Sequence, residues 1–230
     1  EPIQMMTEDY ETHSSNIEGL EDVRLFRSSP NAPIEFTASS KNATADGRIV
    51  IAMGQYDPRM NRMFRVQVIE PPRPSGCEKN WLYVPEDALE SPDAKGKTNM
   101  IYGWNPLEIG AVDPETKQLM IHTTYQTPAF FQRLRGSAAP VLFGGKRWAV
   151  VHYVRYSTPR VYYHAIVQFN QTTMRPEQIS APFCFRRLAI EYCIGFHVGS
   201  DGMATFFFSE NDCDPGMMQL PLASLRWIGL

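Results

Sequence analysis

An acid and a cation two residues apart, Asp22 and Arg24, are the side chains of this sequence whose types and spacing best suit chemistry. They lie in the segment 16–26, where three acids and one arginine stand among apolar residues. In an extended chain, Asp22 and Arg24 share one side, and Val23 and Leu25 share the other. One side can therefore pack while the other presents a carboxyl group beside a fixed cation. Such a pair suits proton transfer or the binding of a polar ligand such as a sugar.

Further basic and amide side chains follow along the chain. Lys79 and Asn80 precede an aromatic strand in the segment 77–85. Arg135 stands before a glycine in Arg-Gly-Ser-Ala-Ala-Pro140. Glycine lets the backbone approach a ligand, and a guanidinium group offers a planar fork for phosphate or carboxylate. These three side chains are therefore candidate ligand-binding residues.

His152 interrupts an apolar strand pattern in the segment 148–155. A single histidine in such a strand is more often a core residue than a catalyst, and both interpretations stay open. The same predicted hairpin adds cations and aromatic faces, a combination that suits sugar rings. These additional candidates are Arg155, Arg160, Tyr162, Tyr163 and His164.

Acidic residues mark the C-terminal part of the chain. Glu191 opens a strand pattern, and the strand pattern that begins near residue 203 ends in a cluster that includes Asp212 and Asp214. Acids at the end of a strand can simply cap a turn, and for Asp214 this interpretation and a functional one are equally weighted. For Asp212 the functional interpretation is favoured.

Composition excludes some classes of partner. The 230 residues carry a net charge of -3 and are 43% hydrophobic, which suits a globular protein with a sizeable core and gives no basic surface for nucleic acid. No apolar run approaches the roughly 20 residues that a membrane helix needs. The N-terminus shows no signal-peptide pattern, but the chain does not begin with Met, so both a secretory lumen and the cytoplasm stay open as its compartment.

The four cysteines, Cys77, Cys184, Cys193 and Cys213, show no metal-binding spacing, so no metal is expected. Their even number would allow two disulfides in an oxidising compartment, but buried free thiols are the favoured prediction. Asn42-Ala-Thr44 and Asn170-Gln-Thr172 are glycosylation triplets, which are common by chance.

The elements that must position these residues are strands. β-branched and aromatic runs are separated by turn residues, and helical periodicity is almost absent. Glycine-containing turns at 45–47, 143–145 and 199–202 each separate two such runs, as hairpins require. The predicted strands are 34–36, 48–53, 63–69, 100–102, 119–125, 148–156, 161–169, 191–198 and 203–209. The sequence therefore predicts an all-β protein built from antiparallel hairpins.

We expect one domain over residues 1–230, with an irregular N-terminal segment at 1–15. The proline-rich stretches 70–76 and 85–97 are predicted to be long loops, because strand patterns continue on both sides of them. Two to four strands recur about every 45 residues, as in a β-propeller, although a sandwich fits the same pattern.

The order of these motifs resembles the five-bladed β-propeller family of inverting β-mannoside phosphorylases and related mannosyltransferases and propeller glycosyltransferases. Glu21-Asp-Val-Arg24 is similar to the Glu/Tyr-Asp-x-Arg motif of that family, whose aspartate is the catalytic acid. Arg135-Gly-Ser-Ala-Ala-Pro140 and Val151-His-Tyr-Val154 are similar to its Gly-x-x-Pro and Tyr-His-Gly-Val elements. Lys79 in Lys-Asn-Trp81, Ile190-Glu-Tyr-Cys-Ile-Gly195 and Phe208-Ser-Glu-Asn-Asp212 extend the resemblance.

The resemblance implies a five-bladed propeller whose first blade is shortened or missing, because the chain is short for five blades. It implies an inverting glycosyltransferase or glycoside phosphorylase, acting on a mannoside-like donor without a metal or other cofactor, in which Asp22 is the general acid or base. Inorganic phosphate, a sugar phosphate or a nucleotide sugar would be the co-substrate. The implied binding residues, expected to converge with Asp22 on one central depression, are Arg24, Lys79, Asn80, Arg135, His152, Arg155, Arg160, His164, Glu191 and Asp212.

Two departures from the family pattern leave the sugar open. Val23 stands where proline or alanine is usual, and Phe-Ser-Glu-Asn-Asp212 replaces Tyr-Gly-Ala-Ala-Asp. Two alternatives also stay open. One is a glycoside hydrolase on the same scaffold, in which water replaces phosphate. The other is a propeller that only binds glycans or proteins, with Asp22 and Arg24 as a structural ion pair.

Overall fold

The computed structural model describes residues 6–7, 19–41 and 43–230. The segment 16–18, Asn42 and most of the predicted irregular segment 1–15 lie outside these residues. The prediction of an all-β protein is confirmed, since the described residues contain no α-helix. They contain 3₁₀ segments at Glu86–Ala88, Pro92–Ala94, Ala129–Arg133 and Leu222–Ser224. No helix in this part of the chain is long and apolar enough to cross a membrane.

One domain over residues 1–230 stays a prediction, and the structure describes two compact units. The first consists of the described part of Glu1–Trp81 together with Ala111–Ile121. Its strands form one sheet in the order β1-β5-β4-β3-β2, antiparallel except for the β1–β5 pair. The strands are β1 (Met6–Thr7), β2 (Glu21–Phe26), β3 (Ile34–Ser40), β4 (Val50–Asp57) and β5 (Arg62–Ile69).

One face of this sheet packs on a small apolar core. Phe36, Ala38 and Met63 are its buried members, and Val23 packs against them. Phe36 and Ala38 are two residues apart on β3, so the alternation of a strand places both on the same face. Thr37 and Ser39 consequently lie on the opposite face, where they are also buried.

The second unit consists of Leu82–Gly110 and His122–Leu230. Its first sheet has the order β6-β7-β8-β9, and the hairpin tip that joins β8 and β9 is counted with the first unit. A five-stranded sheet follows in the order β10-β11-β12-β13-β17, and a three-stranded sheet in the order β14-β15-β16. The strands are β6 (Leu82–Val84), β7 (Asn99–Trp104), β8 (Leu107–Val112), β9 (Leu119–Tyr125), β10 (Arg135–Phe143), β11 (Lys146–Arg155), β12 (Val161–Asn170), β13 (Pro176–Ser180), β14 (Glu191–Val198), β15 (Met203–Glu210), β16 (Asp214–Pro221) and β17 (Trp227–Gly229).

The inner strand β11 is buried on both faces. Ala149 and Val151 belong to one apolar cluster of the unit, and Trp148 and Val150 belong to another. Because successive side chains of a strand point to opposite faces, an uninterrupted apolar run is what such a position requires. His152 follows in this alternation on the face of Trp148 and Val150.

All nine predicted strands correspond to strands of the structure, and the three predicted turns join β3 to β4, β10 to β11 and β14 to β15. The predicted number of five blades is wrong, because the described strands form four sheets. The alternative of a shortened or missing first blade is compatible with four sheets. Several strands were missed, among them β10 and β16, whose sequences contain proline and glycine that argue against strands.

Candidate functional site

The first candidate constellation lies in the first unit, at a β-bulge that contains Asp22. Glu21 stands opposite Ser39 and Arg24 stands opposite Thr37, so β2 carries one residue more than β3 between these pairs. Asp22 has φ 53, in the left-handed region that non-glycine residues seldom adopt. Bulges and such strained residues are frequent beside functional sites, where they redirect a side chain.

The bulge corrects the simple alternation predicted for this segment. Val23 packs against the core as expected. Leu25, predicted to pack on the same side, is 52% exposed. No glycine marks the bulge, so the extra residue could not be recognised in the sequence.

Arg24 is held rigidly beside Asp22. Its side chain is buried, and its guanidinium group donates to the backbone carbonyl of Asp22 at 2.9 Å and to Oδ1 of Asn80 at 3.3 Å. Asn80 is also buried and has φ 65. The structure therefore brings together three of the predicted site residues, whereas Lys79 lies exposed next to them in sequence.

Polar residues that the sequence analysis missed lie in the same unit. Glu78 is buried and accepts a hydrogen bond from Trp81 Nε1 at 2.9 Å. The hydroxyl groups of Thr37 and Ser39 are buried and have no hydrogen-bond partner among the described residues. By register, Thr37 lies on the face of Arg24. The polar alternation of Thr37 and Ser39 along β3 was the available signal.

The second constellation lies in the second unit and centres on His152. This histidine is 2% exposed, and its Nδ1 lies 2.8 Å from Oγ of Ser137. Its ring stacks on Tyr162 and meets the edge of Tyr192. Arg135 stands directly opposite His152 in the β10–β11 register and is itself exposed. Two predicted site residues are thus adjacent, and Ser137 is a partner that the sequence analysis missed.

His164 is opposite His152 on β12, with ring centroids 6.4 Å apart. It is fully buried against Phe183 and Phe185, and neither ring nitrogen has a hydrogen-bond partner in the part of the chain that the structure describes. Burial lowers the pKa of His164 from 6.5 to about 3, because the charged imidazolium would lose its hydration. His164 is therefore a neutral ring at physiological pH.

Glu191 is fully buried and holds a loop. Its carboxylate accepts hydrogen bonds from the backbone N–H groups of Phe185, Arg186 and Arg187 at 2.7, 2.8 and 3.0 Å. A carboxylate has about four acceptor sites, so most of its capacity is already used.

The remaining predicted residues are exposed. Arg155 ends β11 and Arg160 lies in the turn before β12, while Asp212 lies in the turn between β15 and β16 with φ 56. Asp214, for which a turn role and a functional role were equally weighted, pairs with Arg186 at 2.8 Å.

All four cysteines are free thiols, in agreement with the favoured prediction, but Cys77 and Cys213 are exposed rather than buried. Within the described residues, no group of three or more His, Cys, Asp or Glu side chains could hold a metal ion. Asn42 lies outside these residues. The side-chain oxygen of Asn170 accepts hydrogen bonds from the backbone of Thr172 and Thr173, which makes this triplet a turn.

A cleft of about 390 Å³ lies elsewhere in the first unit, lined by Arg48, Glu70, Gln118 and the proline-rich segment 71–74. The polar side chains named here already have hydrogen-bond partners within the first unit. Arg48 makes a two-point ion pair with Glu70, and Gln118 donates to the carbonyl of Pro71. None of the predicted site residues lines this cleft.

No protein-family model and no curated protein matches this chain. Among solved structures, β-1,2-mannobiose phosphorylase from Listeria innocua is similar in fold, with a TM-score of 0.62 and 13% identity. The match covers 89% of this chain and 59% of that chain, so this chain spans about three fifths of the phosphorylase. At this identity the likeness shows the fold alone, which is all-β and propeller-like. The described strands form four sheets.

Two further structures match less well. The mannose phosphorylase MPT-4 from Leishmania mexicana, in complex with phosphate ion, has a TM-score of 0.39 and 10% identity over 94% of this chain and 86% of that chain. An exo-1,5-α-L-arabinanase from a bovine ruminal metagenomic library has a TM-score of 0.44 and 12% identity over 93% and 75%. These scores are too low to support an argument.

Proposed function

We propose that this protein is a carbohydrate-active enzyme, an inverting glycoside phosphorylase or glycosyltransferase for a mannoside-like donor. The observation that carries the proposal is the geometry at Asp22. A bulge holds this half-buried acid with a left-handed backbone conformation beside Arg24, whose guanidinium group is fixed by Asn80 and by the carbonyl of Asp22. β-Bulges often redirect a side chain at a functional site.

Asp22 acts in this proposal as the general acid. It delivers a proton, directly or through a sugar hydroxyl, to the glycosidic oxygen as the bond to the anomeric carbon breaks. The nucleophile attacks that carbon from the opposite face, and the configuration inverts. Arg24 and Asn80 orient the sugar and the acid.

The nucleophile is inorganic phosphate in phosphorolysis, and transfer from a sugar 1-phosphate is the same reaction in reverse. We assign phosphate binding to Lys79, Arg135 and His152, because cations and N–H donors form strong charge-assisted hydrogen bonds with phosphate oxygens. Arg155, Arg160 and Asp212 stay predicted binding residues at exposed positions. His164 and Glu191 stay in the predicted set too, although their burial gives each a structural role as well.

The proposal is tested by mixing the protein with sugar 1-phosphates or nucleotide sugars and simple acceptors, and with mannosides and phosphate, with products detected by mass spectrometry. We expect product from the wild type and from Asp57→Asn. This control changes a carboxylate at the end of β4 in the first unit, which accepts a hydrogen bond from the backbone N–H of Arg59. Asp22→Asn should fold normally and form no product. Full activity of Asp22→Asn would remove this residue from the mechanism.

The same assay separates the two alternatives. Sugar release that does not depend on phosphate would identify a hydrolase. Glycan binding without product from any donor, combined with a loss of thermal stability in Asp22→Asn, would identify a binding protein in which Asp22 is structural.

A further inference from the structure

We propose that Ser137 is a positioning residue that fixes the ring orientation of His152. The inference rests on the proposed function, in which His152 binds phosphate, and it adds a residue that the family resemblance did not supply.

A second β-bulge places Ser137 against the histidine. Gly136 pairs with Val151 and Ala138 pairs with Val150, so Ser137 is the extra residue of β10. The bulge lets the serine side chain reach the ring of His152 on the neighbouring strand. Ser137 is fully buried, and the 2.8 Å between its Oγ and Nδ1 of His152 is a normal hydrogen-bond distance.

Aromatic contacts hold the plane of the ring but do not choose its orientation. Tyr162 stacks on His152, with ring centroids 5.6 Å apart and an angle of 23° between the ring planes. The Tyr192 ring makes an edge contact with His152, with an angle of 75° between the ring planes. A half-turn of the imidazole about its bond to Cβ would keep these contacts, but it would replace Nδ1 by a carbon. The hydrogen bond to Ser137 therefore selects one of two orientations that stack equally well.

The contact does not depend on the tautomer. A serine hydroxyl can donate to a bare Nδ1 or accept from Nδ1–H, so the hydrogen bond persists in either neutral form and in the charged imidazolium. In each case the ring keeps Nδ1 towards Ser137 and Nε2 on the opposite edge, where a protonated Nε2 can donate to a phosphate oxygen.

The chain supplies a matched control in Ser180. This serine is also buried in the same sheet, and its hydroxyl accepts from the N–H of Ile166 at 2.9 Å and donates to the carbonyl of Ala181 at 3.1 Å. Ser180→Ala therefore removes a buried, hydrogen-bonded hydroxyl that has no histidine partner.

The test combines NMR of the histidine rings with titration by inorganic phosphate. In the wild type, the Hδ2 proton of His152 should show no nuclear Overhauser effect to the side chain of residue 137, because it lies on the other edge of the ring. Ser137→Ala should allow both ring orientations, so that this effect appears, and should weaken phosphate binding by about fivefold, the effect of one ordinary hydrogen bond. Ser137→Thr should restore both properties, and Ser180→Ala should leave both unchanged.

A single ring orientation in folded Ser137→Ala would overturn the proposal, as would equal effects of Ser137→Ala and Ser180→Ala. A different outcome would refute only the proposed function. Two ring orientations in Ser137→Ala, in a protein whose wild type binds no phosphate, would support the positioning role and remove the phosphate site.

Discussion

His164 is a titratable side chain in surroundings that do not stabilise a charge. It is fully buried among phenylalanine rings, and neither nitrogen has a hydrogen-bond partner within residues 19–41 and 43–230. An unpaired buried polar group normally costs stability. His164 and His152 share a face of the same sheet, yet Ser137 and two tyrosines surround His152, which shows how strongly the neighbours decide the chemistry of one residue type.

Replacement of His164 by leucine should make the protein less sensitive to acid. The folded pKa of about 3 lies below the ordinary 6.5, so between these values the unfolded chain binds a proton that the folded chain does not. The free energy of unfolding therefore falls as the pH drops from 6.5 towards 3, by up to about 1.4 kcal/mol per pH unit. His164→Leu should lose this contribution and be at least as stable as the wild type at pH 7.

Urea denaturation at pH 7 and pH 5 measures the difference, with His197→Gln as the control at an exposed histidine. A fall in stability between these pH values that is as steep in His164→Leu as in the wild type would show that another group is responsible.

The spacing of Asp22 and Arg24 was sufficient to predict that they lie together, since neighbours in sequence are neighbours in space. The contact of Arg24 with Asn80 joins residues 56 positions apart, and local patterns carry no information about it. The same limit applies to Ser137, whose partner His152 is 15 positions away on the next strand.

At the scale of elements, turns were more predictable from the sequence than β-bulges. Glycine at positive φ in the turns before β4, β11 and β15 has a local cause and was recognised in the sequence. Bulges arise from the pairing of two strands, so one strand alone does not reveal them. This is why both bulges, at Asp22 and at Ser137, became visible only in the sheets.

Glu191 illustrates how one side chain fixes an element. We expect Glu191→Gln to lower the free energy of unfolding by about 1–3 kcal/mol, because the amide group would oppose at least one backbone N–H that the carboxylate now accepts. The amides of residues 185–187 should exchange hydrogen faster. Glu177→Gln, at a partly exposed ion pair with Lys146, is the control and should change stability by less than about 1 kcal/mol. Unchanged exchange at these amides would contradict the assigned role.

Gly54 is required by close packing within the first sheet. A Cβ atom at this position would lie 2.8 Å from the Phe36 ring and 2.9 Å from the carbonyl of Phe64. We expect Gly54→Ala to cost about 1–3 kcal/mol of unfolding free energy, as overpacking does. Gly76→Ala in the same unit, where a Cβ meets nothing within 4 Å, should be nearly neutral. Equal thermal stability of the two variants would refute the packing argument.

For the whole molecule, the sequence predicted the fold class but not the number of sheets. Alternating strands and turns identify an all-β chain, whereas the grouping of strands into four sheets depends on pairings such as that of β13 with β17, which are far apart in sequence. The resemblance to a five-bladed family supplied the number five, whereas the strands of the described residues form four sheets.

Phosphate should stabilise the folded protein if Arg135 and His152 bind it. A ligand that binds only the folded state adds about 2.7 kcal/mol at a hundred times its dissociation constant. We expect inorganic phosphate to raise the melting temperature of the wild type and of Arg175→Ala, in which another exposed arginine of the second unit is removed. Arg135→Ala should show little response. An equal rise in all three proteins, or the same rise with chloride at matched ionic strength, would indicate a general salt effect.

The most direct test of the central claim is the dependence of Asp22→Ala on the leaving group. Rates of phosphorolysis would be compared for a β-mannoside with a sugar leaving group and for one with a dinitrophenyl leaving group, which departs without a proton. If Asp22 is the general acid, the variant should lose about a thousandfold with the sugar and much less with dinitrophenyl. An equal loss with both substrates, or no loss with either, would contradict that role.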